Sequence, residues 1–197
     1  MDITTLNNKQ REAVLETEGA TLVLAGAGSG KTKVLTSKIA YLIEEKNISE
    51  YNILAFTFTN KAAQEMKERI GGLLNKNVDH MWVGTFHSIC SRILRRNIDR
   101  LGYKNNFTIY DTADQKTIIK DILKEPNYSD DNFNPMGVLS QISDYRNRFV
   151  GPDEVIDKSS FPREKQIGEI YKLYEKEKKE NNALDFDDLI LKTIELL

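Results

Sequence analysis

The sequence predicts an α/β fold around a mainly parallel sheet, and three observations carry that prediction. Short apolar runs alternate with amphipathic stretches through the first half of the chain. Three of those runs, "TLVLAG" (21–26), "NILAFTFT" (52–59) and "HMWVGTF" (80–86), are rich in β-branched or aromatic residues, and each leads into a segment with helical spacing. Between the first run and its helix stands "AGAGSGKT" (25–32), a glycine-rich turn of the kind that cradles phosphate.

Each element follows from its own pattern. After the first run, Leu35, Ile39 and Leu42 fall at i, i+4 and i+7; after the second, Ala62 or Ala63, Met66, Ile70 and Leu73 or Leu74 make one face. After the third, Phe86, Ile89, Cys90, Ile93, Leu94 and Leu101 form a stripe. Arg92, Arg95, Arg96 and Arg100 lie off that stripe as a solvated face, and Gly102 is placed to stop the helix. From about residue 107 the character changes. "FTIY" (107–110) offers one more strand, and "TADQ" (112–115) a capping box ahead of Ile118, Ile119, Ile122 and Leu123. Asn134-Pro135 opens a helix carrying Leu139, Ile142, Tyr145 and Phe149, closed by Gly151-Pro152. Another, with Pro162 near its start, carries Ile167, Ile170, Tyr171 and Tyr174 and runs out in "EKEKKENN" (175–182). The last stretch, 184–197, is amphipathic through Phe186, Leu189, Ile190, Ile194 and Leu197. It reaches the final residue with no cap, glycine or polar tail, so the sequence reads as cut short.

Bulk properties narrow the class. The 197 residues include 28 basic and 30 acidic ones, a net charge of −2, so no overall field marks a nucleic-acid or membrane partner and local chemistry must identify any. A single cysteine, Cys90, excludes an internal disulfide, and the N-terminus lacks the charged-then-apolar pattern of a secretory signal. No apolar run approaches the roughly 18 to 20 residues of a membrane span. The expectation is a reduced, cytoplasmic protein.

In the glycine-rich turn, successive backbone N–H groups point inward at an anion, and the following helix adds its positive end. Lys31 would reach the β- and γ-phosphates and the Thr32 hydroxyl would bind Mg²⁺. Gly28 and Gly30 are needed because a side chain there would block the phosphate or forbid the backbone angle. The strict pattern would place glycine at position 25, where this chain has Ala25. A GTPase is disfavoured: "TNKAA" (59–63) has alanine where a guanine reader needs a carboxylate. For the acidic group that holds Mg²⁺ in hydrolysis, the candidates are Asp111 and the "DFDD" cluster (185–188). Asp185 is also well placed as an N-cap, with Asp187 and Asp188 complementing the helix dipole.

Five segments in order, "LNNKQREAV" (6–14), "AGAGSGKT" (25–32), "FTFTNKAAQEMKERI" (56–70), "GTFHS" (84–88) and "LDFDDLI" (184–190), resemble the motifs of the UvrD/Rep/PcrA-type superfamily 1 DNA helicases. The resemblance covers essentially the whole chain. It implies a RecA-like P-loop NTPase domain with a parallel sheet, residues 1–106 plus 184–197, carrying an inserted all-helical subdomain, residues 107–183. It implies ATP and Mg²⁺ as cofactors. Gln10 would pair with the adenine edge, for which an amide is suited because it donates and accepts at once. Ala25, Gly26, Ala27, Gly28, Ser29, Gly30, Lys31 and Thr32 would form motif I, where alanine at the first position is usual, with Lys31 and Thr32 serving catalysis. Phe58, Asn60, Lys61, Thr85 and His87 would line a single-stranded DNA track: a stacking face, hydrogen bonds to phosphate or sugar, and a charge. Partners would be single-stranded DNA, single/double-strand junctions and the remaining part of the same helicase, with 3′ to 5′ movement, in a bacterial cytoplasm and nucleoid-associated.

In that family the Walker B strand, a second motor domain and its arginine fingers follow the last segment, and the 197 residues contain none of them. The expectation is the N-terminal ATP- and DNA-binding part of a helicase acting in repair or replication, turning over little or no ATP alone. Two rival readings stay open from the residues: a complete small P-loop kinase whose helical block is a lid, and a non-catalytic module whose block 111–183 docks a protein or duplex.

Overall fold

The computed structural model describes residues 4–125, 127–128 and 133–197. Two compact units, Met1–Ile89 and Cys90–Leu197, divide the chain, and no described helix is long and apolar enough to cross a membrane.

The first unit begins with α1 (Asn8–Leu15), which Asn7 and Gln10 cap reciprocally: Asn7 Oδ1 accepts from Gln10 N at 2.9 Å, and Gln10 Oε1 accepts from Asn7 N at 3.1 Å. Leu6 and Val14 pack α1 onto Val34 of α2 (Lys31–Glu44). Strand β1 (Leu54–Thr57), helix α3 (Asn60–Leu74) and strand β2 (Trp82–Thr85) form a βαβ unit whose strands are parallel, in register from Leu54 opposite Trp82 to Thr57 opposite Thr85. Ile39 and Ala40 of α2 meet Met66, Ile70 and Leu74 of α3 and the strand residues Ala55 and Val83 in one core. Gly84 is required by close approach, since a Cβ there would lie 2.5 Å from Ser88 Oγ at the start of α4 (Phe86–Asn97).

The run 21–26, expected as the first strand, is not one. It has no regular secondary structure and pairs with no described strand, and Leu22 is 82 % and Leu24 86 % exposed. A parallel strand is held by hydrogen bonds to its neighbours, and β-branched composition cannot substitute for a ladder. The expected sheet is therefore a two-stranded one among the described residues of this unit.

In the second unit, α4 continues into a 3-10 turn (Ile98–Leu101) ended by Gly102 at φ 71°. Arg95 is exposed, as expected, and from that face it lies 3.7 Å over the Phe107 ring and donates to the Phe107 and Asn105 carbonyls, which pins the chain ahead of β3 (Thr108–Ile109). Helices α5 (Thr112–Ile122), α6 (Pro135–Asn147), α7 (Pro152–Lys158) and α8 (Pro162–Glu180) follow. The chain then returns in β4 (Ala183–Leu184), parallel to β3 with Thr108 opposite Ala183, and ends in α9 (Phe186–Leu196). One core joins Ile119 of α5, Ile142 of α6 and Ile167, Ile170 and Tyr174 of α8. Another joins Leu94, Ile98, Phe107, Leu184 and Leu189. Cys90 is a free, buried thiol.

Three local expectations change. The cap of α5 is Asp111 rather than Thr112, with Asp114 closing the box. Phe149, expected on the buried face of α6, follows the helix end at φ 58° and is 70 % exposed. It occupies the left-handed position of a Schellman turn, with Val150 N bonded to Tyr145 O and Phe149 N to Arg146 O. The short helix α7 was not anticipated; Pro152 at its first turn and the acids Asp153 and Glu154 account for it.

Candidate functional site

The phosphate-loop residues form a tight turn that ends in the positive-φ residue Gly30 (φ 84°), the N-cap of α2, after Gly28 at φ 74°. No side chain caps this helix, and its first turn closes with Val34 N bonded to Gly30 O. The N–H groups ahead of Val34 are therefore left for an anion at the positive end of the helix dipole. Lys31 and Thr32 are exposed. The Lys31 ammonium donates to the carbonyls of Ala25 (3.1 Å) and Gly26 (2.7 Å), and Ser29 Oγ donates to Gly26 O at 2.7 Å. Gln10 reaches the same loop from α1, its Nε2 donating to Ser29 O at 3.0 Å. The structure thus brings together Gln10 and residues 25–32. A triphosphate fits this cradle: neutral carbonyls hold the lysine and can be exchanged for phosphate oxygens. For a metal ion the protein offers Thr32 Oγ1, and the described residues contain no group of three or more His, Cys, Asp or Glu that could hold one.

Phe58, Asn60, Lys61, Thr85 and His87 lie at or just beyond the ends of β1 and β2, which are parallel and in register and so end side by side at Thr57 and Thr85. Ligands of α/β sheets bind beyond such carboxyl ends. Each strand turns at once into a helix held by a threonine: Thr59 Oγ1 accepts from Ala62 N at 3.1 Å, and Thr85 Oγ1 from Ser88 N at 3.3 Å. Asn60 and Lys61 therefore occupy the first turn of α3, and His87 that of α4. Phe58 is 95 % exposed, and Phe56 of β1 and Phe86 at the start of α4 stack face to face with centroids 4.3 Å apart. An exposed aromatic flanked by a helix start, an amide and an ammonium matches the chemistry of a nucleotide strand.

The acidic candidates lie in the second unit and are already engaged. Asp111 Oδ1 accepts from Ala113 N and Asp114 N at 2.7 and 2.9 Å. Asp185 caps α9 in a reciprocal box with Asp188, and both belong to a buried ionic knot. Asp185 Oδ2 accepts from Arg146 Nη1 (2.7 Å), Lys178 Nζ (2.8 Å) and the Tyr174 hydroxyl (2.8 Å). Asp188 accepts from Lys178 Nζ at 2.7 Å and from Arg146 Nη2. Burial works to raise the Asp185 carboxyl, but the adjacent Lys178 and Arg146 charges outweigh it and hold the group below the usual carboxylate range. Asp187, the remaining acid, accepts from the Ser143 hydroxyl at 2.7 Å. Sequence reasoning found the cap at Asp185 but neither the cations that bury with it nor the role of Asn7 in holding Gln10. The pattern Asn-x-x-Gln ahead of an apolar position was the legible signal for the latter.

Residues 6–197 match the family described as UvrD/REP helicase N-terminal domain. The chain is 50 % identical over 191 residues to the ATP-dependent DNA helicase PcrA of Bacillus subtilis. To proteins of the same name it is 49 % identical in Staphylococcus epidermidis and 48 % in Staphylococcus aureus. Each of these alignments covers 97 % of this chain and 26 % of the relative, so the chain spans about a quarter of the length of the curated relatives it matches. By this match over nearly its full length, the chain belongs to the UvrD/REP helicase N-terminal domain family.

Proposed function

We propose that this chain is the N-terminal, ATP- and single-stranded-DNA-binding part of an ATP-dependent 3′ to 5′ DNA helicase of DNA repair or replication, working in the bacterial cytoplasm. The observation that carries the reading is the uncapped start of α2, preceded by positive-φ Gly28 and Gly30, with Lys31 and Thr32 exposed beside it. Residues 25–32 hold the phosphates, Lys31 neutralises them, Gln10 meets the adenine edge and Thr32 Oγ1 serves Mg²⁺. Bound ATP would supply the contacts that close the motor cleft and the phosphoanhydride whose hydrolysis lets it reopen. Phe58 stacks a base of the strand, with Asn60, Thr85 and His87 on phosphate or sugar and Lys61 adding charge. Residues 1–106 and 184–197 are read as one RecA-like domain and 107–183 as its inserted helical subdomain. The parallel pairing of β3 with β4 supports this, because the chain leaves at Thr108 and returns at Ala183 beside it. Single/double-strand junctions and the remainder of the same helicase are its partners.

The test is equilibrium binding of ATP and of an oligothymidylate to this chain, together with ATP turnover. The chain is expected to bind both weakly, to lose ATP binding on Lys31→Ala, and to turn over little ATP with or without DNA. DNA-stimulated turnover well above the Lys31→Ala level would overturn the expectation that this part is inactive alone, and transfer of phosphate to a small acceptor would overturn the assignment itself.

A further inference from the structure

We infer that Gln10 is a positioning residue for the phosphate loop as well as a base contact, so that it sets how the triphosphate is held even when no base is present. This rests on the nucleotide-binding reading above. The carboxamide uses one atom on each side. Its Nε2 donates to Ser29 O at 3.0 Å, within the loop, and its Oε1 accepts from Asn7 N at 3.1 Å, within the cap of α1. By count, a carboxamide has two N–H groups and its oxygen two lone pairs, so one donor and one acceptor remain for an adenine edge while the loop stays bound.

The helix that carries the amide is packed onto α2. Leu6 and Val14 are buried with Val34, so α1 is packed directly on the first turns of α2, and Lys33 Nζ ties back to the Thr5 carbonyl at 2.8 Å. The amide also lies against the loop backbone. A Cβ on Gly30 would stand 2.9 Å from Gln10 Nε2, so the absence of a side chain at position 30 admits this contact as well as the φ of 84°. Holding the Ser29 carbonyl on Gln10 fixes one peptide of the loop before an anion arrives. Binding then requires less ordering of the loop, which is where preorganisation gains affinity.

The experiment compares ATP with Mg²⁺-tripolyphosphate, which has no base, on the full 197-residue chain and two variants. Gln10→Met keeps length and neutrality but removes the bond to Ser29 O. Asn7→Ala breaks the same α1 cap while leaving Gln10 able to reach the loop. Binding is read by calorimetry, and helix content and unfolding midpoint are checked for both. The expected result is that Gln10→Met weakens tripolyphosphate by about two- to tenfold, the size of one hydrogen bond. ATP should be weakened by more, and Asn7→Ala should leave tripolyphosphate unchanged. If Gln10→Met weakens ATP alone, Gln10 reads the base and nothing else, and the inference is overturned while the nucleotide assignment stands. Equal losses from both variants would assign the effect to the helix cap and overturn it too. Failure of the unmodified chain to bind either ligand would bring down the nucleotide reading and this inference with it.

Discussion

Lys31 and Lys178 show two opposite uses of one residue type. Lys31 stands exposed at the start of α2 and is held by two backbone carbonyls. Lys178 is 1 % exposed and is held by the carboxylates of Glu175, Asp185 and Asp188. Carbonyls are neutral and can be returned to water or to other donors when a phosphate arrives. Carboxylates buried with their cations cannot be released without leaving a charge stranded at low dielectric. A site for a ligand is therefore recognised by partners that can be exchanged, and a structural knot by partners that cannot.

The sharpest way to separate the two regions is to neutralise one charge in each. Asp185→Asn should destabilise the second unit by about 3–5 kcal/mol, because Arg146 and Lys178 lose one of the two carboxylates they share while staying buried. Lys31→Ala should leave the unfolding curve unchanged. Urea denaturation followed by circular dichroism measures both, and a small effect of Asp185→Asn would mean that the knot is open to water. Acid unfolding adds a sign. A carboxyl held below its unfolded value of about 4 stabilises the fold fully above that pH, and the contribution is lost as pH falls through the folded value. Burial raises Asp188 against the pull of Lys178 and Arg146, so that residue works in the opposite sense and makes the acid limb shallower than Asp185 alone would. Removing the Asp185 carboxyl should flatten that limb further.

A smaller effect is expected at the strand ends, where side chains are exposed as at Lys31. Phe58→Ala should weaken oligothymidylate binding by about 1–3 kcal/mol, the range of one base stacked on an aromatic ring. At 95 % exposure Phe58 holds up no core, so the midpoint of unfolding should not move. Loss of stability without loss of DNA binding would assign Phe58 to packing and remove it from the strand track.

The same contrast explains what could be read from the sequence. Strands at 54–57 and 82–85 were legible because their pattern and their crossover helix lie close together in the chain. The phosphate loop was legible because its glycines are demanded by backbone angles, which are local. The run 21–26 carried an equally strong strand composition, yet a ladder depends on neighbours and no described strand pairs with it. The ionic knot was illegible for a related reason: Arg146 and Asp185 are 39 positions apart, and nothing local to either marks the other. Phe149 misled because helical spacing ran through Tyr145 into a residue that the turn before Pro152 places outside the helix.

The smallest expected effect tests the acid that the sequence left ambiguous. Asp111 follows the β3 segment, as a metal-holding carboxylate at the end of a strand would, but its Oδ1 is taken up by two backbone N–H groups of α5. A cap and a metal ligand make different demands. Asparagine caps a helix about as well as aspartate, whereas alanine costs about 1 kcal/mol, and a metal ligand tolerates neither change. Asp111→Asn should therefore leave both stability and Mg²⁺-dependent ATP binding as they are, and Asp111→Ala should lower stability by about 1 kcal/mol with ATP binding intact. If Asp111→Asn instead abolished the Mg²⁺ dependence of ATP binding, Asp111 would be a ligand with exchangeable partners, on the same side of the comparison as Lys31.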